Sequence, residues 1–104
     1  MEMEYNYDNV KKELTLNLKG EIDCSNCKAL KTIIDGYILR YEPKTVIINM
    51  ANVNFMDSSG IGLITGRYNT CKLIYAKLTI LNCKASIKKL LSLSSIARNI
   101  EIRG

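Results

Sequence analysis

The sequence predicts an α/β fold: one mostly parallel sheet of about five strands with helices packed against it. Three patterns predict it. Leu14, Leu16 and Leu18 alternate with Thr15, Asn17 and Lys19, the period-two signature of a strand with one buried face. Thr45–Met50 is a short, nearly continuous apolar run, the kind found at the centre of a covered sheet. Between such runs, apolar residues recur at the three-four spacing of amphipathic helices. Strands alternating with helices call for parallel pairing through right-handed crossovers. With 104 residues and 47% hydrophobic content, the chain reads as a single domain over residues 1–104.

Element by element, Tyr5–Asp8 reads as the hairpin partner of the alternating leucine strand. Gly20 and Asp23 punctuate the chain after that strand. A first helix buries Leu30, Ile33, Ile34, Tyr37 and Ile38, led by Cys27. Asp23 or Ser25 would cap it, and Pro43 closes its exit. After Thr45–Met50, a second helix begins near Ser58–Gly60. Its stripe uses Ile61, Ile64, Tyr68 and Cys71, with Leu63 and Ile74 at the margins. Leu78, Ile80 and Leu81 mark a further strand, and Ile87, Leu90 and Leu91 a helix. Ile100 and Ile102, flanking Glu101, form a last strand.

Composition narrows the function classes. Histidine is absent, which removes Ser-His-Asp and Cys-His catalysis, His-containing zinc sites and imidazole switches. Hydrolase and metalloenzyme readings therefore lose most of their weight. The net charge of +5 is unevenly placed: residues 1–50 carry seven Lys/Arg against eight Asp/Glu, residues 51–104 eight against two. The basic surplus is spread as single charges apart from Lys84, Lys88 and Lys89, with no aromatic side chain interleaved to stack bases. That cluster reads as a solvated helix face, and neither nucleic acid nor a membrane is expected as a partner. Cys24, Cys27, Cys71 and Cys83 occur without a secretory signal, and no apolar run approaches the ~18–20 residues of a membrane span. The expected location is a reducing cytoplasm.

The informative stretch is Asn54-Phe55-Met56-Asp57-Ser58-Ser59-Gly60-Ile61-Gly62, which leaves a buried strand and opens a helix. In open α/β sheets, functional groups gather outside the carboxyl ends of the strands. Capping chemistry by itself accounts for Asp, Ser, Ser and Gly at such a point. A second reading stands beside it. Asp57 is the only carboxylate between Glu42 and Glu101, and two hydroxyls sit where a helix dipole stabilises an added anion. A phosphate on Ser58 would add about −1.5 to −2 charge units beside Asp57. The helix terminus tolerates that charge; an acidic or closely packed partner surface does not.

Phe55-Met56-Asp57-Ser58-Ser59-Gly60-Ile61-Gly62 resembles the phosphorylation motif of bacterial anti-sigma factor antagonists, which are STAS-domain proteins. Lys19-Gly20-Glu21-Ile22-Asp23 resembles the family's Gly-Glu-Leu-Asp turn, Val46–Met50 the strand before the motif, and Gly66-Arg67-Tyr68 the helix after it. The resemblance spans roughly residues 5–103, and the combination with Gly20-Glu21 and Gly66-Arg67-Tyr68 suggests the sporulation-type antagonists in particular. It implies a STAS fold and a partner-switching role. The unphosphorylated chain would bind an ATP-dependent anti-sigma factor that is also a serine kinase, and so release a sigma factor. Phosphorylation of Ser58 would end the complex, and a serine phosphatase would reset it. Asp23, Asp57, Ser58, Ser59, Gly60 and Gly62 are the partner-binding residues this implies, with Ser59 capping the helix instead of accepting phosphate.

The sequence leaves two alternatives. One is a STAS interaction module of another assembly that is never phosphorylated. The other is a small thiol oxidoreductase using Cys24-Ser25-Asn26-Cys27, which has Cys-x-x-Cys spacing at a helix start but lacks the surroundings of thioredoxin-like sites. Gly60-Ile61-Gly62-Leu63-Ile64-Thr65-Gly66 has one residue too many for a dinucleotide loop, and its glycines read as close-packing positions.

Overall fold

The computed structural model describes residues 1–104. Strands β1 (Glu2–Asp8) and β2 (Glu13–Ile22) form a hairpin, followed by helix α1 (Cys27–Tyr41) and strand β3 (Thr45–Met56). Helix α2 (Ser59–Leu73), strand β4 (Lys77–Leu81) and helix α3 (Ala85–Ser92) come next; a 3-10 turn at Ser95–Arg98 then leads to strand β5 (Glu101–Arg103). The sheet order is β1-β2-β3-β4-β5, with β1 antiparallel to β2 and every later pair parallel. The expected class, strand number and element order all hold. No helix is long and apolar enough to cross a membrane.

The hairpin turn is written locally. Asp8 Oδ1 accepts from the backbone N–H groups of Val10 and Lys11 at 2.9 and 3.0 Å, an Asx turn that reverses the chain. From it the leucine alternation emerges as expected, with Leu14, Leu16 and Leu18 at most 2% exposed. They meet Val46, Ile48 and Met50 of β3, Leu78 and Ile80 of β4, and Leu30, Ile34 and Ile38 of α1 in one continuous core.

Four expectations need correction. First, Ile33 is 46% exposed: the buried stripe of α1 is the i, i+4 row Leu30, Ile34 and Ile38, and Ile33 lies about 100° around the helix from Ile34. Second, the stripe of α2 is Gly60, Leu63, Ile64, Arg67 and Cys71, with Ile61 and Tyr68 only half-buried. Gly60 sets this phase. It lies so close to β3 that a Cβ there would sit 2.3 Å from Met56 Cγ, and steps of about 100° from Gly60 carry residues 64, 67 and 71 inward.

Third, β3 is not covered on both faces. Val46, Ile48 and Met50 are buried, but Thr45, Ile47 and Asn49 are half-exposed. Because spatial order follows chain order, right-handed crossovers place α1, α2 and α3 on the same side of the sheet. The other side carries an amide row: Asn49 Nδ2 donates to Asn17 Oδ1 at 2.9 Å, and Asn82 Nδ2 donates to Asn49 Oδ1 at 3.1 Å. Fourth, Gly20 does not end its strand. β2 passes through it with φ +116° at an irregularity in the β2–β3 register, a bulge that glycine accommodates without a Cβ penalty.

One ion pair ties the helical layer together. Arg67 on α2 is 3% exposed, and its Nε lies 2.7 Å from Asp35 Oδ1 on α1. That approach is electrostatic and poorly aligned for a hydrogen bond, while Nη2 donates to Oδ2 at 3.2 Å. Helical spacing does not report this pairing. The available signal was Asp35 itself, the only carboxylate in α1 and directly after Ile33-Ile34.

Candidate functional site

The parallel strands β2, β3 and β4 deliver their following loops to one edge of the molecule. At that edge, Ile22 pairs with Met56, and the Asp57 N–H donates to the Ile22 carbonyl at 3.1 Å. Asp23 and Asp57 are therefore the first residues beyond two paired strand ends. The topology brings these carboxylates to the same rim from positions 34 apart in the chain.

The turn into α2 treats its two serines differently. Asp57 Oδ1 accepts from the Ser59 N–H at 2.9 Å and from the Ser59 hydroxyl. The Ser59 Oγ also accepts from Cys27 Sγ, 3.7 Å away on α1. The Asp57 carbonyl takes the Gly60 N–H at 3.0 Å, and the Ser58 carbonyl the Ile61 N–H at 3.1 Å. Asp57 thus supplies the capping that had been expected of Ser59. Ser59 is held from both sides and half-buried. Ser58 occupies the N-cap position, is exposed, and makes no side-chain capping bond.

Asp23 or Ser25 was expected to cap α1, and here too the turn works differently. Asn26 is the N-cap and makes no side-chain cap bond. Its Oδ1 accepts from the Asp23 N–H at 3.1 Å and its Nδ2 donates to the Glu21 carbonyl at 2.7 Å, so the amide braces the turn. Asp23 Oδ1 accepts from the Ser25 N–H at 2.9 Å and from its hydroxyl. These bonds, the hydroxyl first, hold the Asp23 carboxyl below the usual carboxylate range. Both rim carboxylates are consequently fixed in direction by their own turns.

Gly60 and Gly62 part company. Gly60 is buried against Met56, where the absence of a Cβ lets α2 pack on the end of β3. Gly62 is exposed, with open space where a Cβ would stand. It helps line a shallow groove of about 320 Å³ between α1 and α2, which Cys27, Lys28, Lys31 and Ser59 also border.

The cysteines divide by depth. All four are free: Cys24 is exposed, Cys27 half-buried, and Cys71 and Cys83 buried. Burial, with Asp35 nearby, pushes the Cys71 thiol up to about 11, and burial raises Cys83 as well. The thiolate is the reactive form, so at pH 8 a chromogenic disulfide reagent should titrate Cys24 quickly and Cys27 more slowly. Cys71 and Cys83 should react only after denaturant is added. Four fast thiols in the native protein would contradict this burial pattern.

Residues 4–104 match the model of the STAS domain, and the chain belongs to that family. An anti-sigma F factor antagonist of Paenibacillus polymyxa is 27% identical to it over 89 residues, covering 86% of this chain and 76% of that protein. Among solved structures, the Bacillus cell fate determinant SpoIIAA in its phosphorylated form superposes with a TM-score of 0.73 at 23% identity, over 97% of this chain and 90% of that one. An anti-sigma factor antagonist from Mycobacterium paratuberculosis reaches a TM-score of 0.79 at 16% identity, over 98% and 86%. At these identities the two structures establish the shared fold.

Proposed function

We propose that this STAS domain is an anti-sigma factor antagonist: a regulator, not an enzyme, that is switched by phosphorylation of Ser58. The observation that carries the reading is the asymmetry of the two serines. Ser58 is exposed with an unengaged hydroxyl at the start of a 15-residue helix, while Ser59 is tied to Asp57 and Cys27. The antagonists of Paenibacillus polymyxa and Lysinibacillus sphaericus, 27% and 28% identical, support it from the side of sequence.

In this mechanism the unphosphorylated rim, with Asp23, Asp57, Ser58 and Gly62, docks on an anti-sigma factor and displaces its sigma factor. The anti-sigma factor is also the serine kinase, and it binds ATP; this chain supplies only the acceptor hydroxyl and no cofactor. The helix dipole at α2 stabilises the new phosphate by about 0.3–1 kcal/mol within the folded chain. The cost falls on the interface, where about two negative charges must be desolvated beside Asp57. A serine phosphatase then restores the binding form. The setting for all of this is the cytoplasm, where sigma factors meet polymerase.

Incubation with the cognate anti-sigma factor and ATP, followed by peptide mapping, tests the reading. One phosphate on Ser58 and none on Ser59 is the expected result. Absence of incorporation, or a phosphate on Ser59, would overturn it.

A further inference from the structure

The strand that delivers the motif is supported unevenly. β2 accompanies β3 to its end at Met56, but β4 pairs only with Thr45–Asn49. Past Asn49, the β4 side of β3 has no neighbouring strand, and carbonyls there need donors from elsewhere. The support from β2 is itself irregular, because the β2–β3 register shifts between Asn17 and Lys19 and again between Gly20 and Glu21.

Lys84 fills the gap. Its Nζ donates to the Val53 carbonyl at 3.0 Å, to the Ala51 carbonyl at 3.4 Å and to Asn54 Oδ1 at 3.5 Å. An ammonium group has three donors; here the Val53 carbonyl takes the short bond and the other two oxygens lie at the edge of reach. The lysine takes part in none of the ion pairs, and its side chain is exposed apart from the contact with Val53. Its own backbone is anchored: Lys84 is the N-cap of α3, and its carbonyl accepts from Ile87 and Lys88 at 3.0 and 2.9 Å. The side chain therefore links the start of α3 to a strand segment that ends one residue before Asp57.

We propose that Lys84 is a positioning residue for the Ser58 segment, standing in for the missing strand neighbour of β3. The proposal rests on Ser58 being the phosphoacceptor, and it goes beyond that reading by assigning the presentation of the serine to a residue 26 positions away on another element. Lys84, Lys88 and Lys89 are all exposed, as expected of a solvated face, and Lys84 alone of the three also reaches β3.

The test uses Lys84→Met and Lys84→Arg in the full chain, with two independent readouts. Native-state hydrogen exchange of residues 52–58 needs no partner. It should accelerate about tenfold in Lys84→Met, the factor expected for one lost charge-assisted bond, with β2 and α1 core amides unchanged. Steady-state phosphorylation by the cognate anti-sigma factor and ATP should show KM for the chain rising several-fold in Lys84→Met with kcat retained. Lys84→Arg should restore both. Unchanged exchange and unchanged KM in Lys84→Met, with the parent still phosphorylated, would overturn the positioning role alone. Faster exchange with an unchanged KM would overturn it too, reducing Lys84 to a local brace. No phosphate on the parent chain would overturn the functional reading and the positioning role with it, so phosphorylation of the parent is what separates the two failures.

Discussion

Asp35→Ala should destabilise the fold by about 3 kcal/mol, because it strands a buried guanidinium. Arg67 is 3% exposed and has Asp35 as its only charged partner, at 2.7 Å. Removing one member of a buried pair costs about 3–5 kcal/mol. Asp35 is 21% exposed, so water can follow the lost carboxylate part of the way in, and the lower end of that range applies. For a domain of this length, such a loss corresponds to a fall in Tm of about 10–20 °C. Urea unfolding should show the midpoint reduced with the slope unchanged. The double replacement Asp35→Leu with Arg67→Met should recover most of the loss, since a buried pair and a well-packed apolar pair of similar volume are close in energy. An Asp35→Ala protein within about 0.5 kcal/mol of the parent, the range of an ordinary surface change, would refute the account. The effect also reaches the groove beside Ser59, whose two walls, α1 and α2, this pair joins.

Ser58→Asp should weaken binding to the cognate anti-sigma factor by about 100-fold or more, or about 3 kcal/mol, while Ser58→Ala stays within about twofold of the parent. Ser58 is exposed and its hydroxyl makes no capping bond, so alanine removes nothing that holds the fold together. Aspartate adds a charge at the N-terminus of α2, where the helix dipole favours it, so both variants should melt close to the parent. The difference between them is then an interface property. Titration calorimetry against the nucleotide-bound anti-sigma factor measures it directly. Equal affinity for both variants would show that charge at this position does not operate the switch. Ser59→Ala is the control with the opposite signature. It loses the bond to Asp57, worth about 1 kcal/mol of stability, without placing a charge on the rim.

Much of the fold was legible because its strands bury one face and therefore alternate. Leu14, Leu16 and Leu18 declare the buried face of β2 directly from their spacing. The misreadings came where local pattern left the phase open. Ile33 and Ile34 are equally apolar, and only contact with the sheet selects Ile34 for burial. In α2 the phase follows from the approach of Gly60 to Met56, two residues whose contact no helical period reports. The run Thr45–Met50 looked fully buried because Ile47 interrupts the alternation; the side on which three helices packed decided otherwise.

The position of the candidate site was also readable: a strand end, a carboxylate, two hydroxyls and a glycine opening a helix, in a half of the chain with one other carboxylate. By itself the sequence determined the class of fold, the order of its elements and the segment in which any switch must lie, because each of these depends on residue type and near-neighbour spacing. Tertiary structure alone decided which serine is free, because that choice depends on where the Asp57 carboxylate and the Cys27 thiol point. It alone paired Asp35 with Arg67 and brought Lys84 under β3, contacts between residues 32 and about 30 positions apart. Such pairings are made by the packing of one element on another, and hydrophobic period carries no record of them.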